Sequence, residues 1–126
     1  IAGKFENAEG PEKNHNVEPI YFHIILEKDK EFTYHVPEGH NSFIYLLTVE
    51  LIVGEKKHSK TSNSNLILLN KGNKLIVEAN KKSEFLFIAG KPIGEPIARG
   101  GPFVMNTKAE ILQAIQDYHN GTFAKY

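Results

Sequence analysis

The sequence contains no cysteine. That excludes disulfides, thiolate metal sites and a cysteine nucleophile, and it is compatible with a reducing compartment. Long hydrophobic runs are also missing. No stretch is apolar enough to cross a bilayer, and the opening residues do not form a signal peptide. Net charge is absent as well: Lys plus Arg number 15 and Asp plus Glu number 15. A neutral chain gives no electrostatic reason to expect nucleic acid or an anionic membrane as partner. The pairs Lys56-Lys57 and Lys81-Lys82 sit beside polar turn residues and read as solvated loops. There is no G-x-S-x-G for a serine hydrolase and no G-x-x-x-x-G-K for a phosphate loop. No H-x-H pair occurs either.

What remains is an ordinary globular composition, 40% apolar and 24% charged over 126 residues, enough for one well-packed domain. Residues 1–18 are polar and broken by Gly3, Gly10 and Pro11, which reads as a linker or arm. From residue 19 onward the pattern is that of a folded domain. Ile20, Phe22, Ile24 and Leu26 recur at every second position, the period of a strand, as do Phe32, Tyr34 and Val36. The run from Phe43 to Val53 is apolar on both faces and reads as one strand covered on both sides. Gly54 ends it. Further short strands are expected around 55–60, 66–69, 74–79 and 84–88, with Asn and Gly in the turns between them. Thr107 and Glu110 make a capping box for a helix within 107–120, and Gly121 supplies its stop. The expected architecture is an all-β sandwich or barrel with one C-terminal α-helix.

Histidine is the residue type best placed to carry chemistry here. His23 and His35 lie on expected strands, and His40 follows the turn Pro37-Glu38-Gly39. Three imidazoles from neighbouring strands, with Glu38 or Glu50 beside them, make the candidate set for Fe, Mn or Zn. Against it stands the spacing, since no His occurs between His58 and His119 to give a later strand its ligand. The plainer reading is of strand and turn histidines with hydrogen-bond partners or solvent. His119, near the helix end, suits the negative end of the helix dipole.

The stretch GKPIGEPIARGGPFVMNT, 90–107, holds three Pro and four Gly among apolar residues. It cannot make a regular helix or a central strand. It reads as an ordered crossing whose apolar side chains are buried. Phe103 and Met105 are its candidates for an interface, and Glu95 and Arg99 for the polar groups of a ligand-shaping loop.

This stretch and the helix after it resemble the ending of pirin-family proteins. The resemblance rests on Ala89-Gly90, Pro92, Glu95-Pro96, the run Gly101-Pro102-Phe103-Val104-Met105-Asn106-Thr107, and Ile111, Ile115 and Asp117-Tyr118. PEGHNSFIYLL at 37–47 resembles the start of the family's second barrel. The resemblance implies the C-terminal cupin domain, a double-stranded β-helix or jelly-roll barrel, of a two-cupin protein. The opening Ile1-Ala2-Gly3 then reads as the linker after a first barrel. In that family the iron or other divalent metal is held by the N-terminal cupin domain, so no cofactor is expected in this chain. Where a cupin metal motif would fall, Asn41 and Ser42 replace ligands, and Val49 replaces a glycine. The implied role is a domain without metal or catalysis that supports the metal-bearing cupin domain, its expected partner. Two alternatives stand beside it: part of a quercetin 2,3-dioxygenase-like oxygenase, or a protein-interaction module of a transcription co-regulator. The implied location is cytoplasmic, or nuclear in a eukaryote.

Overall fold

The computed structural model describes residues 1–12, 16–48, 50–54, 59–62 and 66–124. It divides into two compact units, Ile1–Pro92 and Ile93–Tyr126.

The described residues of the first unit form ten strands: β1 (Lys4–Phe5), β2 (Ala8–Glu9), β3 (Ile20–Leu26), β4 (Lys30–His35), β5 (Asn41–Leu46), β6 (Glu50–Val53), β7 (Ser59–Ser62), β8 (Leu66–Leu68), β9 (Lys74–Ala79) and β10 (Ser83–Gly90). Eight of them form two antiparallel four-stranded sheets, ordered β3-β10-β5-β8 and β4-β9-β6-β7. Strands adjacent in sequence mostly belong to different sheets. β3 and β4 are therefore the edges of separate sheets, and one core lies between them.

Strict alternation in the sequence builds that core. In β10, Ser83, Phe85, Phe87 and Ala89 are buried while Glu84, Leu86 and Ile88 point the other way. Ile44 and Leu46 from β5, Leu51 from β6 and Leu75, Val77 and Ala79 from β9 complete it. Phe85, Phe87, Ile44, Leu46, Leu51 and Val77 are wholly enclosed. Each such side chain contributes about 1.5–3 kcal/mol of burial.

The expected single strand from Phe43 to Val53 is two strands in two sheets. At Leu47-Thr48 the chain turns a corner held by β10. The Leu47 and Thr48 N–H groups both donate to the Glu84 carbonyl, at 2.9 and 3.2 Å. The Glu84 N–H donates back to Thr48 Oγ1 at 2.8 Å. The corner shifts the inward phase by one residue: even positions face the core in β5, odd positions in β6. The first residues of the strand expected at 55–60, like Val49, lie outside the described residues.

The segment read as an arm carries structure. β1 and β2 pair as a hairpin. Ala2, almost fully buried, exchanges two hydrogen bonds with Tyr21 of β3, at 3.2 and 3.0 Å. At Gly10 an added Cβ would run into the Ile1 carbonyl, so only glycine permits this close crossing.

The second unit holds a hairpin, β11 (Ala98–Gly100) with β12 (Phe103–Met105), and the helix α1 (Lys108–His119). The capping box forms as expected. Thr107 Oγ1 accepts from the Glu110 N–H at 3.2 Å, and the Glu110 carboxylate accepts from the Thr107 N–H at 2.7 Å. Gly121 follows with φ 72°. Gly100 lies so close to the helix that a Cβ there would strike Ile111 Cγ2. The burial expected for the apolar residues of 90–107 is only partial: Phe103 and Met105 are half-buried, whereas Ile93, Ile97 and Val104 are exposed. Prolines at 92 and 96 keep this chain out of any ladder that would cover them. The chain is thus mostly β, with one C-terminal helix.

Candidate functional site

The three candidate histidines do not come together. His23 is on the outward face of β3, where its Nε2 meets Glu84 Oε1 of β10 at 2.6 Å. His35 ends β4 on the outward face of the other sheet, opposite Lys74. His40, in the turn before β5, is the buried one. Its Nε2 donates to the Glu18 carbonyl at 3.2 Å, and its Nδ1 has no partner among the described residues. Glu38 is exposed beside it, and Glu50 begins β6. Among the described residues, no three side chains of His, Asp or Glu are grouped as a metal ion requires. His23, His35 and His40 do not converge on one point. Spacing alone could not disclose this, because consecutive strands alternate between sheets and carry His23 and His35 to opposite outer surfaces. His15 and His58 lie outside the described residues, and His119 ends α1.

Glu95, Arg99, Phe103 and Met105 all belong to the second unit. Glu95 accepts from Asn106 Nδ2 at 2.6 Å, which fastens the loop to the start of the helix. Arg99 projects from β11 into solvent opposite Val104. Phe103 packs against Tyr118 and Phe123, with ring centroids 6.0 and 5.0 Å apart. Met105 pairs with Ala98.

A feature missed in the sequence is the contrast between the two outer sheet faces. On β4-β9-β6 the outward residues are mostly polar, Glu31, Thr33, His35, Lys74, Glu78 and Glu50, with Ile76 and Ile52 among them. On β3-β10-β5-β8 the outward residues are largely apolar. The register places Tyr21, Ile88, Phe43 and Leu68 in one row, and His23, Leu86, Tyr45 and Leu66 in the next. Ile25, Tyr45, Leu66 and Leu68 are exposed. Its signal was present: both faces of 43–46 are apolar. The pattern predicts burial on both sides, whereas one side is core and the other an open apolar surface.

A second feature lies where the sheet edges β3 and β4 meet. Phe32 and Tyr34, side by side on β4, hold their rings 6.4 Å apart and within 6° of parallel. The Phe5 ring of the hairpin is centred 5.6 and 6.3 Å from them and within 30° of parallel to each. Phe22 of β3 meets Phe5 edge-on at 6.0 Å. The Tyr34 hydroxyl donates to the Lys4 carbonyl at 3.1 Å, and burial pushes this phenol above its ordinary pKa. An open cleft of about 540 Å³ is lined by Lys4 and Glu9 of the hairpin together with Glu12, Glu18, Tyr34 and His40.

Residues 21–124 match the model of the Pirin C-terminal cupin domain. The chain belongs to the pirin family. A pirin-like protein of Solanum lycopersicum is 38% identical over 104 residues, covering 81% of this chain and 36% of that protein. Pirin of Homo sapiens is 36% identical over 104 residues, 80% of this chain and 36% of pirin. The crystal structure of a quercetin 2,3-dioxygenase from Acinetobacter baumannii superposes with a TM-score of 0.85 at 33% identity, over 99% of this chain and 43% of that one. The pirin-family chain thus spans less than half the length of these relatives. Among its described residues, no helix is long and apolar enough to cross a membrane.

Proposed function

We propose that this pirin-family cupin domain, a jelly-roll barrel in its finer topology, performs no metal chemistry itself and supports a metal-bearing cupin domain of the same protein. The observation that carries the reading is the dispersal of His23, His35 and His40. Two project from the outer surfaces of different sheets, and the third is turned into a loop, donating to Glu18. A metal needs donors converging within about 2–2.6 Å of one point. The apolar outer face of β3-β10-β5-β8 supports the supporting role, since exposed apolar patches of this kind mark interaction surfaces. Its partner is the N-terminal cupin domain, which carries the Fe or other divalent metal. Such a pairing fits a cytoplasmic protein that needs no membrane or nucleic acid.

The test is metal retention. The 126-residue chain is loaded with Fe(II), Mn(II) or Ni(II), dialysed, and analysed for its elements. Substoichiometric metal and no turnover of quercetin are expected. One tightly held metal per chain, or dioxygen consumption with quercetin, overturns the reading.

The second reading is that the intact protein acts as a quercetin 2,3-dioxygenase. It draws on the similarity to the Acinetobacter baumannii enzyme, whose chain is more than twice as long as this match.

A further inference from the structure

We propose that Asn120 is a site of spontaneous covalent modification, and that its conversion to isoaspartate releases the chain end that packs on Phe103 in the second unit. The reaction is independent of the proposed supporting role.

One peptide bond carries the chemistry. Asn120 is the one asparagine of the sequence that glycine follows. After every other asparagine, the side chain of the next residue crowds the backbone nitrogen that must attack. Gly121 has no side chain. Its amide nitrogen attacks the Asn120 side-chain carbonyl carbon, Cγ. An N–Cγ bond forms, the Cγ–Nδ2 bond breaks, and ammonia leaves with the amide proton. The product is a five-membered cyclic imide. Water opens it at one carbonyl to give aspartate, and at the other to give isoaspartate, whose main chain runs through Cγ. Water is the only reactant consumed, and nothing is oxidised or reduced.

The fold leaves this bond within reach of the reaction. Asn120 and Gly121 are both exposed, at the helix C-cap and just beyond it. Asn106, by contrast, has its side-chain amide tied to Glu95 at 2.6 Å. The attacking nitrogen is held by a long bond, from the Gly121 N–H to the Tyr118 carbonyl at 3.2 Å. The Thr122 N–H, donating to the Asp117 carbonyl at 2.8 Å, closes the same turn. With Gly121 at φ 72°, these two bonds make a Schellman ending. The turn must open before attack, and the last turn of a helix frays at little cost in free energy.

The product cannot close the turn as before. Isoaspartate adds one carbon to the main chain between His119 and Gly121, so the two bonds no longer fit together. Its carboxylate also lies at the negative end of the helix dipole, three residues from Asp117. Phe123, two residues beyond Gly121, packs on Phe103 with ring centroids 5.0 Å apart. Loosening the turn withdraws Phe123 and uncovers the Phe103 ring.

The 126-residue chain is incubated at mildly alkaline pH, folded and in urea, and its peptides are mapped by mass and retention. The folded chain is expected to lose the Asn120 amide, giving isoaspartate and aspartate, at a rate within about tenfold of the unfolded chain, as a frayed terminus implies. Asn120→Gln, whose imide would need a six-membered ring, should stay intact. Asn120→Asp carries the charge on an ordinary main chain and should keep the contact between Phe103 and Phe123. The isoaspartate product should lose it, read from the ring NMR signals and from faster amide exchange at Gly121 and Thr122. Slower loss of Asn120 than this in the folded chain, or none, overturns the proposal. So do ring signals in the isoaspartate product that match those of Asn120→Gln, or an equal loss of the contact in Asn120→Asp.

Discussion

The Ser83 hydroxyl, fully buried at the start of β10, lies 2.9 Å from the Glu50 carbonyl of β6. It thereby joins the two sheets across the core, and the Lys81 carbonyl lies 2.8 Å from the same hydroxyl. Ser83→Ala is expected to lower stability by about 1 kcal/mol, the net worth of one such bond. Urea unfolding should show a lower midpoint at unchanged slope. An unaltered midpoint would show that the contact carries no weight.

Neighbouring positions on β10 should differ sharply. Phe85→Ala and Phe87→Ala each empty a wholly enclosed site and are expected to cost about 3–5 kcal/mol. Glu84→Gln, which cuts the half-exposed pair with His23, should cost under about 1 kcal/mol despite the 2.6 Å contact. Denaturant unfolding of the three variants makes the comparison. Equal losses at 84 and 85 would contradict the assignment of inward and outward faces.

The parts of the fold that depend on local chemistry were legible in the sequence. The strand at Lys74–Ala79 follows from alternation, and the helix start at Thr107 from a reciprocal pair three residues apart. What could not be read depends on partners remote in sequence. The corner at Thr48 exists because Glu84, on a strand far along the chain, supplies both its acceptor and its donor. The order in the arm depends on Phe5 finding rings on β3 and β4, while its own neighbours in sequence are polar. The positions of His23 and His35 needed the sheet assignments, which periodicity does not carry.

The capping box should be sensitive to acid. Hydrogen bonds from the Thr107 hydroxyl and backbone, with a further one from Asn106, hold the Glu110 carboxyl below its ordinary pKa of 4.5. A lowered folded-state value means that the stabilisation is fully present above the ordinary value. It is lost as pH falls through the folded-state one. Helical circular dichroism should therefore decline in that acid range, and Glu110→Gln should flatten the decline. An identical acid profile in the variant would count against this role.

At Gly100 the fault introduced by a side chain is steric. The Cβ of Gly100→Ala would strike Ile111 Cγ2 and push α1 off the β11-β12 hairpin. The expected result is faster amide exchange across Ile111 and Ala114, the two buried residues of the helix, with exchange in β9 and β10 unchanged. Protection retained at both helix positions would show that the helix tolerates the methyl.

The apolar outer face gives a prediction without a stability cost. Leu68→Lys and Tyr45→Lys should each leave the unfolding free energy within about 0.5 kcal/mol, as at other exposed sites. Both should reduce the binding of an apolar fluorescent dye. A large loss of stability would mean that the face is packed.

The alternation of strands between sheets has a consequence for how the chain reaches its native state. β10 is an inner strand, bonded to β3 near the beginning of the domain and to β5 in its middle. During synthesis β3 and β5 must therefore wait without their common neighbour until residue 90 has left the ribosome. Pairings this distant in sequence slow folding. In the interval Ile44 and Leu46 of β5, wholly enclosed in the folded domain, are open to other nascent chains.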